Sequence, residues 1–240
     1  MEPQPRVSYL ESVDSTNTYL QKLIADGQAS AWDGIRAGVQ TAGRGQHGRP
    51  WYSPVGESLY LSVAIPYSGP GYHLAFSCAL AVRDAVQDIT SLEPVFRWPN
   101  DILLDRRKLA GILIESAPRG LWIAGIGINC NTREFPEELS QIACSLWSVA
   151  GSPVSLDTLQ NGLLQSLQLR VNALEESGFS ETLLMWKAFD ATPGMRIRVQ
   201  REGGESYEEA VMVDTRGCLV TKSQQRIEMV TGAGEIRYCD

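Results

Sequence analysis

The spacing of apolar residues alternates along the chain between a period of two and a period of three to four. Period-two or continuous apolar runs, which predict β-strands, occupy residues 7–11, 35–40, 59–65, 102–104, 108–115 and 121–129. Apolar residues at helical spacing predict helices after Ser15, over residues 73–89 and over residues 155–176. Strands and helices are therefore mixed through the first 189 residues, which predicts an α+β fold with helices packed on a mixed β-sheet.

The C-terminal part of the chain has a different pattern. After a segment with Pro and Gly at residues 190–194, short strands are predicted at residues 196–199, 207–213, 218–221, 226–230 and 235–238. The turns between them have the spacing of a small β-barrel. We therefore predict a larger domain of residues 1–189 and a small β domain of residues 190–240.

A glycine-rich loop, Gly43-Arg44-Gly45-Gln46-His47-Gly48-Arg49, follows the second predicted strand. Its three glycines permit positive φ and close approach to a ligand, and its two arginines can meet negative charge. The spacing also fits the dinucleotide fingerprint, but no helix is predicted after the loop and residues 58–83 contain no Asp or Glu. The segment is therefore interpreted as a loop that holds an anion with side chains.

Composition limits the classes of function. The formal net charge of -7 and the pI near 5.0 argue against a nucleic-acid-binding face. No apolar run reaches the roughly 18 residues of a membrane span, and the first residues lack the apolar core of a signal peptide. A cytoplasmic protein is expected. Five scattered cysteines favour small buried side chains over a disulfide framework or a zinc site.

Charged and polar residues near the predicted strand ends suit phosphoryl or nucleotidyl transfer. Lys108 stands alone as a lysine between Lys22 and Lys187, and its compact ammonium suits a phosphorus centre whose charge shifts during reaction. Arg44 and Arg49 suit a triphosphate, and the carboxylate of Asp101 suits Mg²⁺. The neutral polar residues that suit an uncharged, amide-like ligand head are Ser15, Thr16, Asn17, Gln40 and Asn129.

Each of these residues also has a structural explanation. The three polar residues at the start of the first helix can simply cap it. Asp101 can form a turn, and Asn129 can end a strand. Lys108 can be a solvent-exposed turn residue. Spacing alone leaves both explanations open.

Five segments, in this order, resemble the motifs of biotin protein ligases, the enzymes that biotinylate acetyl-CoA carboxylase. They are Ser15-Thr16-Asn17, the glycine-rich loop through Trp51, Trp98-Pro99-Asn100-Asp101, residues 108–115, and Gly125-Ile126-Gly127-Ile128-Asn129. The resemblance covers nearly the whole chain. It implies a class II aminoacyl-tRNA synthetase-like catalytic domain at residues 1–189 and a C-terminal SH3-like β-barrel. Because the motifs begin at Ser15, no N-terminal helix-turn-helix domain is expected.

The resemblance implies a two-step reaction. Biotin and ATP, with Mg²⁺ as cofactor, form biotinyl-5′-AMP, and a lysine of the biotin carboxyl carrier domain of acetyl-CoA carboxylase then accepts biotin. Lys108 and Arg44 are the implied catalytic residues, and Asp101 is the implied metal ligand. The implied biotin-binding residues are Ser15, Thr16, Asn17, Gln40, Gly43, Arg44, Gly45, Gln46, Lys108 and Gly111. The implied ATP-binding residues are Arg44, Arg49, Trp51, Asn100, Lys108 and Asn129.

Two other functions fit the same scaffold. A lipoate-type ligase shares the implied fold and lysine, but the Ser15-Thr16-Asn17 segment and the arginines of the loop fit a ureido ring better than a dithiolane. A non-catalytic biotin-binding module would bind without adenylation. No nucleic acid or membrane partner is expected, and a homodimer is compatible with the sequence.

The loop departs from the family pattern at Gln46, where many members have a second arginine. A neutral amide forms a hydrogen bond about half as strong as a charge-assisted one. We therefore expect Gln46→Arg to slow the dissociation of preformed biotinyl-AMP about tenfold, equivalent to roughly 1.4 kcal/mol. The dissociation rate without carrier protein measures this. Release as fast as from the wild type contradicts it. The second departure, Arg97 in place of lysine, keeps the charge.

Overall fold

The structure, a computed structural model, describes residues 4–201, 204–223, 227–230 and 236–239. The strands are β1 (Arg6–Val13), β2 (Asp33–Gln40), β3 (Leu59–Pro66), β4 (Val95–Arg97), β5 (Asp101–Leu104), β6 (Arg107–Ala117), β7 (Leu121–Ile128), β8 (Arg196–Arg201), β9 (Gly204–Val213), β10 (Leu219–Lys222), β11 (Ile227–Val230) and β12 (Ile236–Tyr238). The helices are α1 (Thr16–Ala25), α2 (Gly71–Thr90), α3 (Glu137–Ser140), α4 (Leu146–Ala150), α5 (Leu156–Ser177) and α6 (Phe179–Lys187). Residues 226 and 235, where two strands were predicted to begin, lie outside the described residues.

Seven strands form the larger sheet, in the order β1-β2-β3-β7-β6-β5-β4. β1 and β2 are parallel, and every other neighbouring pair is antiparallel. The predicted mixed sheet is therefore confirmed, and β5 and β6 form a hairpin within it. The hairpin turn takes positive φ at Asp105 and Arg106, as expected for a two-residue connection between antiparallel strands.

The two faces of the larger sheet have different surroundings, because side chains alternate along each strand. On β3, Leu61 and Val63 belong to the main hydrophobic core beneath α2. Their neighbour Ala64 faces the other side, in a smaller cluster with Leu20 of α1. Ser62 is fully buried on that second side and contacts the start of α1. One face of the sheet is thus core, and the other is available for a site.

Helix α2 is more deeply buried than a helix with one apolar face. It contacts β6 and β7 on one side and α5 and α6 on others, so most of its residues are buried. Phe76 of α2 and Phe96 of β4 both pack against Trp186, with ring centroids 4.9 and 5.5 Å away. The helix predicted over residues 73–89 is therefore present, and its burial extends beyond the face that carries the apolar spacing.

Three helices were not predicted. α3 and α4 span four and five residues, too short to show a period. α6 follows α5 directly at Gly178, whose φ of 84° ends α5. Ser155 caps α5 by accepting from the Thr158 N–H.

The C-terminal strands form an antiparallel sheet in the order β11-β10-β9-β8-β12, which fits the predicted small β domain. Trp98, which lies between β4 and β5, forms hydrogen bonds with this C-terminal part of the chain. The Trp98 N–H donates to Thr192 Oγ1 and its Nε1 donates to the Gly217 carbonyl, both at 2.8 Å. Tyr238 of β12 donates its hydroxyl to the Trp98 carbonyl at 2.6 Å. The domain boundary at residue 190 stays a prediction.

Two predictions from composition have a structural counterpart. Cys78, Cys130 and Cys144 are buried, as expected for small apolar residues, whereas Cys218 and Cys239 are partly exposed. Within the described ranges, no helix combines the length and the apolar character that crossing a membrane requires.

The packing of α5 on the core gives a stability prediction. Leu163 is fully buried in the main core, whereas Leu169 on the same helix is 65% exposed. We expect Leu163→Ala to lower the free energy of unfolding by about 2 to 5 kcal/mol, because it leaves a cavity. Leu169→Ala is the matched control, expected to change it by less than about 0.5 kcal/mol. Urea unfolding measures both, and equal losses contradict this packing.

Candidate active site

A cavity of about 420 Å³ lies on the face of the larger sheet opposite the main core. All the predicted site residues except Gly43 line it: Ser15, Thr16, Asn17, Gln40, Arg44, Gly45, Gln46, Arg49, Trp51, Asn100, Asp101, Lys108, Gly111 and Asn129. Gly43 is buried behind Gln40 and Ser53, where an added Cβ would lie 3.0 Å from both side chains. Segments far apart in sequence therefore meet in one cavity.

The polar end of the cavity is formed by Ser15, Thr16, Asn17 and Gln40. Ser15 occupies the N-cap position of α1, but its side chain makes no cap hydrogen bond. The helix-capping explanation is therefore wrong for this side chain. Thr16 donates its backbone N–H to Gln40 Oε1 at 2.9 Å, which fixes the Gln40 amide at the edge of the loop. The polar side chains point toward one another and toward the cavity.

Arg44 reaches into the polar end. Its Nη1 donates to Thr18 Oγ1 at 2.7 Å, and its Nη2 lies 2.9 Å from both carboxylate oxygens of Glu115. Asn17 Nδ2 donates to the same carboxylate at 2.7 Å. Sequence reasoning missed Glu115 and Ser62 as parts of the site. A polar residue inside the apolar run of β3 was the available signal for Ser62.

Glycines on β6 and β7 form the floor of the cavity. A Cβ added at Gly125 would lie 2.3 Å from Asn17 Oδ1, and one at Gly127 would lie 2.6 Å from the Trp51 ring. Gly111, which pairs with Gly127, has the same ring above it at 2.9 Å. The glycines of β7 thus allow Asn17 and Trp51 to approach the backbone of this strand closely. Within the described residues the buried Trp51 Nε1 finds no hydrogen-bond partner, so this donor is available to a ligand.

The cationic end of the cavity is built on the hairpin of β5 and β6. Asp101 Oδ1 lies 2.5 Å from Lys108 Nζ, and Asp101 Oδ2 lies 2.8 Å from Arg97 Nη2. Burial raises the pKa of Asp101, but the charges and hydrogen bonds of Lys108 and Arg97 together lower it by more than burial raises it. The pKa of Asp101 therefore lies below its usual range. Asp101 is the first residue of β5 and Lys108 lies on β6. The explanations as a turn former and a solvent-exposed turn lysine are both wrong.

Two predicted ATP-binding asparagines donate to the backbone. Asn100 Nδ2 donates to the Ile112 carbonyl at 2.6 Å. Asn129 Nδ2 donates to the Cys144 carbonyl at 3.1 Å and the Lys108 carbonyl at 3.3 Å. Both amides therefore stabilise the strands around Lys108, and their contact with ATP stays a prediction.

Strand β12 of the small sheet also reaches the cavity. Ile236, Arg237 and Tyr238 line it, and the Arg97 guanidinium lies 4.6 Å from the centre of the Tyr238 ring. Among the described lining residues Asp101 carries the one negative charge, whereas the cations are Arg44, Arg49, Arg97, Lys108 and Arg237. Arg44 is paired with Glu115, but the other four cations together suit a polyanionic ligand. No sequence pattern indicated that β12 would take part.

The predicted metal site has a single carboxylate, and that carboxylate is occupied. Each oxygen of Asp101 already holds a cation. The described parts of the chain contain no group of three or more His, Cys, Asp or Glu side chains that could hold a metal ion. A magnesium site built by the protein alone does not fit this arrangement, and the assignment of Asp101 to a metal stays a prediction.

The fold and this cavity define a ligase scaffold, and sequence comparison agrees. The chain belongs to the Biotin/lipoate A/B protein ligase family, whose model matches residues 9–132, more than half of its length.

Individual relatives and solved structures within this comparison are similar to the chain over most of its length. The Biotin--[acetyl-CoA-carboxylase] ligase of Mycobacterium tuberculosis is 32% identical over 231 residues, covering 92% of this chain and 85% of that protein. The Bifunctional ligase/repressor BirA of Bacillus subtilis is 29% identical over 235 residues, covering 94% of this chain and 72% of that protein. The solved structure of the biotin protein ligase from Aquifex aeolicus in complex with biotin and ATP has a TM-score of 0.85 at 26% identity and covers 98% of both chains. The predicted fold class is confirmed.

The ion pairs of Asp101 predict a pH-dependent stability. A carboxylate whose native pKa is lowered stabilises the fold above its unfolded-state pKa, about 3.9 for Asp, and this contribution disappears as the pH falls through the native pKa. We expect Asp101→Asn to lower the free energy of unfolding by about 3 kcal/mol at pH 7. Urea unfolding from pH 7 to pH 3 should show the difference shrinking below about pH 4.

Asp105→Asn is the matched control, since Asp105 lies exposed in the turn between β5 and β6 at a positive φ that Asn tolerates. A difference between wild type and Asp101→Asn that stays constant over this pH range contradicts the ion-pair account.

Proposed function

We propose that this protein is an ATP-dependent biotin protein ligase, which forms biotinyl-5′-AMP from biotin and ATP and transfers biotin to a lysine of a biotin carboxyl carrier protein. The observation that carries the proposal is the two-ended cavity. Neutral polar groups around Thr16 and Asn17 lie at one end, and Lys108 and three arginines lie at the other. Biotin has a matching form, with a neutral ureido ring and a carboxylate on a chain.

The first step joins two anions, so charge is its main obstacle. A biotin carboxylate oxygen attacks the α-phosphorus of ATP, a new P–O bond forms, and the bond to the β-phosphate oxygen breaks, releasing pyrophosphate. Lys108 Nζ lies on the cavity floor, 5.3 Å from the centre of the Trp51 ring. Its ammonium is placed to lower the repulsion between the two anions and to stabilise the charge of the five-coordinate phosphorus.

The second step consumes the mixed anhydride. The neutral ε-amine of the carrier lysine attacks the acyl carbon, the new C–N bond forms, the bond to AMP breaks, and the amine proton passes to solvent. Arg49 and Arg237 are exposed at the mouth of the cavity, where they suit the phosphates of ATP. Asp101 does not fit a magnesium ligand as the ion pairs stand, so magnesium would have to arrive with ATP.

A pyrophosphate-exchange assay tests the proposal against its alternatives. Exchange between ATP and labelled pyrophosphate should require biotin and should not respond to lipoate. Exchange with lipoate alone indicates a lipoate-type ligase. Biotin binding by calorimetry without any exchange indicates a non-catalytic binding module.

Lys108 gives the sharpest test of the site. We expect Lys108→Ala, Lys108→Arg and Lys108→Gln to reduce biotin-dependent exchange about 10² to 10³-fold, because one electrostatic contact in the transition state is lost. Lys22→Ala, on the exposed face of α1, is the control and should keep the wild-type rate. Near-normal exchange in Lys108→Ala would remove this lysine from the reaction.

A further inference from the structure

Glu115 lies behind the polar end of the cavity and holds two of the residues that line it. It is not itself a lining residue. Its carboxylate contacts Arg44 Nη2 through both oxygens at 2.9 Å and accepts from Asn17 Nδ2 at 2.7 Å. The Arg44 and Glu115 side chains are 32% and 29% exposed, so the pair is partly shielded from solvent. Glu115 therefore influences the cavity through other side chains.

The first effect of Glu115 is on the direction of hydrogen bonds. An ionised carboxylate only accepts, so the Asn17 NH₂ group must face Glu115 and Asn17 Oδ1 must face Ser62. The Ser62 oxygen lies 2.5 Å from Asn17 Oδ1, so the single Ser62 proton is donated there. The Thr16 and Ser62 oxygens are also close, at 2.7 Å. The Thr16 hydroxyl donates its own proton to Gln40 Oε1, at 3.1 Å, so this proton is also used within the protein.

This direction decides what the polar end offers to a ligand. Thr16 uses its hydroxyl proton on Gln40, and Asn17 turns its NH₂ group to Glu115, so the Thr16 oxygen and Asn17 Oδ1 are the acceptors at this end. Ser15 Oγ accepts a long hydrogen bond from Arg44 Nη1 at 3.4 Å and keeps its own proton. The end thus offers acceptors at two residues and a donor at a third. A cyclic urea, with two N–H donors and one carbonyl acceptor, is complementary to this set.

The second effect of Glu115 is on charge. Arg44 alone would attract a carboxylate to the polar end, but Glu115 neutralises it. At the opposite end Arg97 and Lys108 face the single carboxylate of Asp101 and leave an excess of positive charge. A ligand with a neutral head and an anionic tail is therefore favoured in one orientation, with its carboxylate beside Lys108.

Resting on the function proposed above, we infer that Glu115 is a positioning residue that determines specificity. It orients the Asn17 amide to accept from the ligand head, and it cancels the Arg44 charge so that the ligand carboxylate does not bind at the wrong end. Glu115→Gln keeps the shape of the side chain but loses the charge, and its NH₂ group can no longer accept from both partners.

Binding and kinetics of Glu115→Gln test the inference. We expect the Kd for biotin, measured by calorimetry without ATP, to rise about tenfold or more. The Kd for octanoate, an acid with no ureido ring, should stay the same or fall, because Arg44 becomes an available cation. The KM for ATP in the exchange assay should stay within about threefold of the wild type. Glu176→Gln, at an exposed position of α5, is the matched control and should change none of these values.

Three outcomes overturn the inference. A biotin Kd within twofold of the wild type does so, and so does an equal loss for biotin and octanoate or a parallel rise in the KM for ATP.

If Glu115→Gln fails to fold, the double variant Glu115→Gln with Arg44→Gln replaces it, because this variant leaves no unpaired charge. It is expected to bind biotin more weakly but not to gain octanoate affinity. A gain there overturns the inference. A wild type without biotin binding or biotin-dependent exchange removes the proposed function itself, which separates that failure from this one.

Discussion

Side-chain alternation on the central strands β3, β7 and β6 is the constraint on which the site depends. Because successive residues face opposite sides of a sheet, each of these strands has one face in the core under α2. On the other face, β6 and β7 place Gly111, Gly125 and Gly127 where side chains would block the cavity. Trp51 and the Asn17 amide can then lie directly against the sheet backbone. A shift of one residue in register would exchange core and cavity.

Charge is separated along the cavity, and two ion pairs maintain the separation. Glu115 neutralises Arg44 at the polar end, whereas Asp101 is shared by Lys108 and Arg97 and leaves one cation in excess. Partly buried charges interact more strongly than exposed ones because screening by water is reduced. The same ion pairs that stabilise the hairpin and the loop therefore also make one end of the cavity neutral and the other end positive.

Local patterns were sufficient for most of the fold. The strands with strong apolar runs and the long helices α2 and α5 were located close to their observed bounds, because their periods persist over many residues. α6 was missed because its nine residues follow α5 with no clear break other than Gly178. The glycine-rich loop was correctly placed at the cavity, but the sequence could not show that Arg44 would be paired with a carboxylate 71 positions away.

The sequence by itself determined which segments carry the site, because the glycines, the lysine and the polar residues at the start of α1 have chemical properties that do not depend on their surroundings. Only the tertiary structure decided which of them meet. Lys108 pairs with Asp101 because β5 and β6 form a hairpin, and Glu115 reaches Asn17 because α1 packs on the face of β6 that Glu115 occupies. Tyr238 enters the cavity because the small sheet docks on Trp98. Contacts between distant segments depend on packing, which no local pattern in the sequence records.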